Sequence, residues 1–228
     1  MKVVILAGGF GTRLSEYTES IPKPLVKIGN QPILIHIMKH YHKFGYKDFI
    51  VALGYKGSLI KKYFNENKFP WRVELVNTGL KTMTGGRIKR LKKYLNKDRF
   101  MLTYGDGISN VNIKKLVKFH IKNCAIGTLT AVRPPARFGA IKIYKNYVNY
   151  FKEKSKLDEG WINGGFFVFE PEFLKYIKSD STYLEKEPLE KLSKEKKLIA
   201  FKHQKFWQCM DTLRDKKLLE KYYKIKKF

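Results

Sequence analysis

The residues able to do chemistry begin at once, in Leu6-Ala7-Gly8-Gly9-Phe10-Gly11-Thr12-Arg13-Leu14, where an apolar run passes into glycines, a threonine and an arginine. Glycine lets a backbone approach closely and take positive φ, which leaves successive N–H groups free to face phosphate oxygens. Lys23 follows in Ile21-Pro22-Lys23-Pro24-Leu25 and, with Arg13, puts two cations beside this cradle. Two better-known cradles do not fit: no Gly-Lys-Ser/Thr ends the loop, and Leu14 stands where a dinucleotide fingerprint needs a third small residue. A bare glycine turn is the bland alternative for the loop alone, and Pro-Lys-Pro tips the balance away from it.

Two acids could complete such a site. Asp106 lies in Tyr104-Gly105-Asp106-Gly107, after an apolar run, and so projects from the carboxyl end of a strand, where ligands of open α/β sheets bind. Asp-Gly is also an ordinary turn dipeptide. A second carboxylate, Asp211, precedes the last helical segment, and two carboxylates with triphosphate oxygens and water form a usual ligand set for Mg2+. Asp211 otherwise reads as a helix N-cap or its neighbour, and Asp215 as a solvated first-turn acid. The five histidines offer no catalytic set: His36, His40 and His42 share one predicted helix without an acid nearby, which favours packing. Cys124 and Cys209 are far apart, with neither disulfide nor zinc-ligand spacing.

The elements that must position these groups alternate. Strands are predicted at Val3 to Ala7, Phe49 to Leu53, Arg72 to Val76, Phe100 to Thr103 and Gly127 to Val132, with helices at Pro32 to Phe44, Gly57 to Phe64, Gly86 to Tyr94 and Ile113 to His120. That order points to an α/β fold with a mostly parallel sheet flanked by helices. From Phe138 the pattern changes to short strands at Ala140 to Tyr144, Tyr147 to Phe151 and Gly165 to Phe169. Helices near 172–178 and 184–195, a strand near 198–202 and a helix after Thr212 follow. We read one domain over 1–228, with a first part over 1–137 and a smaller C-terminal lobe over 138–228.

A composition of 43% hydrophobic and 14% aromatic residues excludes a disordered chain, and no apolar run approaches a membrane-spanning length. With no cleavable leader pattern after Met1-Lys2, the expected location is the cytoplasm, with no membrane partner. A net charge of +27 attracts polyanions, but the lysines are spread along the whole chain, which reads as solvated helix surface. An RNA-binding module is the rival from another class. Its best support, Gly164-Gly165-Phe166-Phe167-Val168-Phe169, has its aromatics out of register with the RNA-recognition pattern, so no nucleic-acid partner is expected.

Leu6 to Leu14 followed by Pro22-Lys23-Pro24-Leu25 resembles the signature of the sugar-phosphate nucleotidylyltransferases, and the likeness covers nearly the full chain. It continues through Asn77-Thr78-Gly79, Thr82 to Arg87, Thr103 to Gly107, Arg137 to Ala140, Trp161 to Phe167 and Phe206 to Thr212, in the order and spacing of the glucose-1-phosphate cytidylyltransferase branch. The resemblance implies a Rossmann-like fold whose part over 1–137 binds the nucleotide and whose lobe over 138–228 binds the acceptor, CTP and a small phosphorylated acceptor as partners, Mg2+ as cofactor, and a homo-oligomer. It implies Arg13 and Lys23 as catalytic residues and Asp106 and Asp211 as metal ligands. Leu6, Ala7, Gly8, Gly9, Gly11 and Thr12 would meet the nucleotide, as would Tyr104, Gly105, Thr82 and Thr84, with Gly85 and Gly86 holding the base. Gly139, Glu153, Lys154, Trp161, Asn163 and Gly164 would meet the acceptor. Two departures bear on that acceptor: a connection of only Asn65 to Pro70 where the branch carries a longer segment, and Ser155 in place of a proline. Together with the lysine content they are similar to the phosphoglutamine cytidylyltransferases of capsule phosphoramidate synthesis, which implies a non-sugar phosphate as acceptor.

Overall fold

The computed structural model describes residues 1–134, 140–152 and 160–228. In chain order its elements are β1 (Val3–Ala7), α1 (Ser15–Thr18), β2 (Lys27–Ile28), β3 (Gln31–Pro32), α2 (Ile33–Lys43), β4 (Asp48–Leu53), α3 (Gly57–Glu66), β5 (Arg72–Asn77), α4 (Thr84–Arg90) and α5 (Lys92–Leu95). There follow β6 (Phe100–Tyr104), β7 (Gly107–Ser109), α6 (Ile113–Asn123), β8 (Gly127–Val132), β9 (Ala140–Tyr144), β10 (Tyr147–Lys152), β11 (Ile162–Phe169), α7 (Glu187–Lys194), β12 (Leu198–His203), β13 (Trp207–Cys209) and α8 (Leu213–Lys224).

The main sheet has seven strands in the order β12-β8-β11-β6-β1-β4-β5. Strands β6, β1, β4 and β5 run parallel, as do β8 and β12, while β11 is antiparallel to both its neighbours. Burial on both faces explains why β1 reads Val-Val-Ile-Leu-Ala without a polar residue. Alternation then divides that run between two cores. Val3 and Ile5 pack with Val51, Met101 and Val168 on one face, and Val4 and Leu6 with Ile50, Leu102 and Phe167 on the other. The sheet is therefore mixed and mostly parallel, flanked by helices, in accord with the expected α/β class.

The differences from expectation are local. The basic helix breaks at Leu91 into α4 and α5, and the segment expected as a helix near 172–178 is a 3-10 stretch over Pro171–Tyr176. Strand β11 starts at Ile162, ahead of Gly165, because its register slips between Asn163 and Phe167 at a bulge and the glycine pair enters the strand. The ribbon of β7 and β13 carries no sequence signal, since three residues are too few to show an alternation. That ribbon matters for the site. Trp207 pairs with Ser109 and Cys209 with Gly107, and the Met210 N–H donates to the Asp106 carbonyl at 2.8 Å, which brings Asp106 and Asp211 to one place.

Candidate functional site

At the carboxyl ends of β1 and β6 opens a cavity of about 1190 Å³. Its floor is the loop after β1. Gly11 takes φ 69° and opens the short turn Thr12–Leu14, while Gly8 lies so close to the Arg87 guanidinium that a Cβ there would overlap it. Arg87 is 4% exposed. It donates to the carbonyls of Gly8 at 2.9 Å, Leu53 at 3.0 Å and Gly79 at 2.8 Å, and to Thr78 Oγ1 at 2.8 Å. Burial, with Arg90 nearby, draws its pKa below the ordinary guanidinium value. One side chain thus ties the glycine loop to β4 and to the segment after β5.

Facing that loop is a cluster of opposite charges. Lys23, held in the turn Lys23–Leu25 between two prolines, donates from Nζ to Asp106 Oδ2 and to Asp211 Oδ1, each at 2.7 Å. Arg13 donates to the other oxygen of Asp211, Oδ2, at 2.8 Å. Burial opposes the charge on Lys23, but the two carboxylates outweigh it, and its pKa is raised. The Lys23 side chain is 11% exposed against 74% for Arg13, so Arg13 reaches out from the rim while Lys23 sits at the base.

Asp215, expected as a solvated first-turn acid, is instead buried. Its Oδ2 accepts from the N–H groups of Asp211 and Thr212 and from Thr212 Oγ1, while its own N–H donates to Thr212 Oγ1, a reciprocal cap on α8. The correction has a physical reason: the cap at the start of α8 is also the anchor of the turn that presents Asp211. Cys209 lines the same wall, and its thiol is pushed up to about 12 by burial and then by Asp211 and Asp106, so it stays protonated.

A second network crosses the cavity. The carboxylate of Glu185 accepts from Tyr104 Oη at 2.6 Å and from Thr84 Oγ1 at 2.7 Å, and Asn163 Nδ2 donates to Tyr104 Oη at 3.3 Å. Burial, then the neighbouring Glu185, raises the Tyr104 pKa and keeps the phenol neutral. Trp207 Nε1 donates to the Gly164 carbonyl at 2.7 Å and fixes the bulge of β11.

The cavity wall therefore gathers Leu6, Ala7, Gly8, Gly9, Gly11, Thr12, Arg13 and Lys23 with Thr82, Thr84, Tyr104, Gly105, Asp106, Asn163, Gly164 and Asp211. Gly85 and Gly86 are not on it. A Cβ at either would run into the backbone of Thr182 or Asp180, and the Gly86 N–H donates to the Thr182 carbonyl, so this pair serves close packing of α4 against the 180–184 segment. Trp161 is also off the wall, under the Arg133 guanidinium, whose centre lies 4.5 Å from its ring. Gly139, Glu153 and Lys154 lie outside the described residues. Sequence reasoning missed Arg87 and Glu185 as site residues. Arg87 stood in a motif with no role attached to it, and nothing near Glu185 marks it, because its partners are distant in the chain.

Residues 2–218 match the family model of the nucleotidyl transferases. The chain belongs to the nucleotidyl transferase family. This nucleotidyltransferase is 49% identical to the glucose-1-phosphate cytidylyltransferase of Salmonella typhi over 243 residues, covering 96% of this chain and 95% of that protein. The alignment is longer than the 228-residue chain, so the relative has residues for which this chain has none. Among solved structures, HddC from Yersinia pseudotuberculosis complexed with GMP-PN is similar with a TM-score of 0.74 and 25% identity, over 97% of this chain and 99% of that one. A UDP-glucose pyrophosphorylase complexed with UDP-glucose shares the fold, with a TM-score of 0.77 at 15% identity over 99% of this chain and 98% of that one.

Among the described residues no group of three or more acidic, histidine or cysteine side chains converges as a metal cage. Asp106 and Asp211 nevertheless fit a divalent cation that also takes phosphate oxygens. Their oxygens meet at one cationic atom beside the glycine loop, and Mg2+ is ordinarily held by one or two carboxylates plus substrate phosphate and water.

Proposed function

We propose that this nucleotidyltransferase is a cytoplasmic cytidylyltransferase, joining CTP to a phosphorylated acceptor to give a CDP-linked product and pyrophosphate. The convergence of Lys23, Arg13, Asp106 and Asp211 on the wall of a glycine-loop cavity carries the reading. The likeness to a cytidylyltransferase over 96% of the chain supports the nucleotide, and it supports glucose 1-phosphate as the acceptor.

An acceptor phosphate has a second pKa near ~6 and is already nucleophilic at neutral pH, so the reaction requires no general base. One acceptor oxygen forms a bond to the α-phosphorus of CTP in line with the bond to the bridging oxygen, and that bond breaks with pyrophosphate as leaving group. The N–H groups of the glycine loop, Lys23 and Arg13 orient the triphosphate and bear the charge that moves onto the leaving group. Asp106 and Asp211 would hold Mg2+, which when bound neutralises triphosphate charge. Neither Cys209, a neutral thiol, nor any His on the wall competes as nucleophile.

A second acceptor, phosphoglutamine or a related non-sugar phosphate of capsule biosynthesis, is favoured by one observation. Helix α3 ends at Glu66 and β5 begins at Arg72, so the connection is as short as the sequence reading held. The RNA-binding alternative loses its support, since Phe166, Phe167 and Phe169 are buried within β11 and present no face to a base. Pyrophosphate release from CTP and from UTP, with glucose 1-phosphate and phosphoglutamine as acceptors, tests the reading. CTP with glucose 1-phosphate is the expected best pair. Release with phosphoglutamine alone would shift the acceptor, and no release with any pair would remove the activity.

A further inference from the structure

Lys23 Nζ stands 2.7 Å from an oxygen of each acid that would hold the metal, so those two oxygens lie within twice that distance of each other with the ammonium between them. A divalent cation bridging the same pair would take the two oxygens that Nζ holds, because Mg2+ draws its ligands in to about 2.0–2.1 Å. Ammonium and metal compete for the same two anionic oxygens there. The backbone of Lys23 cannot withdraw, being set in a turn flanked by Pro22 and Pro24, with its Cβ packed beside Gly11. What can move is the four-carbon stem, and the loop lining the same cavity is where phosphate oxygens would receive it.

We infer that Lys23 is a built-in occupant of the cation site, which holds the carboxylate pair closed to free divalent metal and leaves only when nucleotide phosphate arrives to take its ammonium. Metal without nucleotide must break two charge-assisted hydrogen bonds and strand a largely buried ammonium. Metal arriving with a triphosphate supplies the replacement acceptors in the same step. Metal and nucleotide therefore bind as a unit, beyond what their own chelation imposes, and Lys23 is delivered to the phosphate by the event that loads the cation. The destination of the lysine rests on the nucleotidyl-transfer reading above; the exclusion of free metal rests on the geometry alone.

Mn2+ alone, titrated into the full chain and followed by electron paramagnetic resonance without nucleotide, tests the exclusion. Lys23→Met should bind Mn2+ at least ~10-fold more tightly than wild type, the effect of releasing about one charge-assisted hydrogen bond or more. Arg13→Ala removes an equal charge from the other oxygen of Asp211, so a matching gain there would reduce the effect to general electrostatics and overturn the proposal. Adding Asp106→Asn to Lys23→Met should abolish the gain; a gain that survived would place the ion elsewhere and overturn it too. Equal affinities in wild type and Lys23→Met would do the same, and Lys23→Gln serves if the methionine variant fails to fold. Loss of all CTP turnover in wild type, with the Mn2+ results intact, would remove the cytidylyl reading and leave the exclusion standing.

Discussion

Two cations, Lys23 largely buried and Arg87 fully so, face the same cavity and are satisfied in opposite ways. Lys23 meets two carboxylates, whereas Arg87, among the described residues, meets carbonyls and a hydroxyl and no carboxylate. An ammonium on a flexible stem between two anions can be exchanged for another cation or drawn to another anion. A guanidinium whose fork is filled by the backbone of three segments has no such freedom: removing it takes from the Gly79 carbonyl the donor it has there, and leaves the Gly8 carbonyl to Tyr55 N–H and the Leu53 carbonyl to Thr78. The first arrangement suits chemistry and the second suits position.

The largest expected effects test the exchangeable centre. Asp106→Asn and Asp211→Asn should each abolish divalent-metal-dependent turnover, since a hard cation loses one of two anionic ligands. Titrating Mg2+ in the presence of CTP checks this, and an unchanged midpoint in either variant would dismiss that residue as a ligand. Lys23→Ala should lower kcat by about 10²–10³, the usual result of losing one preorganised donor to developing charge, with little change in melting temperature. A variant with wild-type turnover would take Lys23 out of the chemistry and erase the contrast with Arg87.

Arg87→Met should behave in reverse. The half-buried Gly79 carbonyl would lose its donor and those of Gly8 and Leu53 one of theirs, and we expect a loss of about 1–3 kcal/mol in urea denaturation. Gly8→Ala should lower stability by a similar route, because the new methyl overlaps the guanidinium. If Arg87→Met unfolds at the wild-type urea midpoint while losing turnover, then Arg87 belongs with Lys23 and the division fails.

The same division explains what could be read from the chain alone. Lys23, Arg13 and the glycine loop are local, within a single stretch of sequence, and their types announce phosphate chemistry. The buried strands were legible for a similar reason, since burial on both faces of β1, β4 and β6 leaves uninterrupted apolar runs. Arg87 and Glu185 were not legible as site residues, because what they do depends on carbonyls and hydroxyls that the fold gathers from distant segments. Gly85 and Gly86 have a packing role that the sequence did not announce: the close approach their missing side chains permit is to Thr182 and Asp180, and no local pattern says which neighbour a glycine admits. The ribbon of β7 and β13 is the strongest case. Too short to have a periodicity, it nonetheless joins the two acids.

Asp215 lies between the extremes, as a positioning residue with part of its worth in stability. Asp215→Ala removes one half of a reciprocal cap, for which about 1 kcal/mol is expected, and frees the turn carrying Asp211. Turnover should fall more than that loss of stability would explain, by roughly tenfold, if a displaced ligand behaves as a weakened outer contact of a metal site does. A loss confined to the unfolding midpoint would make it a cap only.

The smallest effect belongs to Cys209, the one thiol on the cavity wall among the described residues and the closest thing there to a competing mechanism. Its thiol is pushed up to about 12 first by burial and then by the same two carboxylates that hold Lys23, since a thiolate beside them would add a third negative charge. At pH 8 that leaves roughly one molecule in 10⁴ as thiolate, so alkylation by iodoacetamide should be slow. Lys23→Ala should make it slower still, because the cation that partly offsets the carboxylates is gone. Cys209→Ala should keep turnover within about twofold of wild type, as expected of a half-buried side chain that touches no developing charge. Rapid labelling at pH 8, or a large loss of turnover in Cys209→Ala, would show that burial and the charge cluster together do not hold this thiol neutral and outside the chemistry.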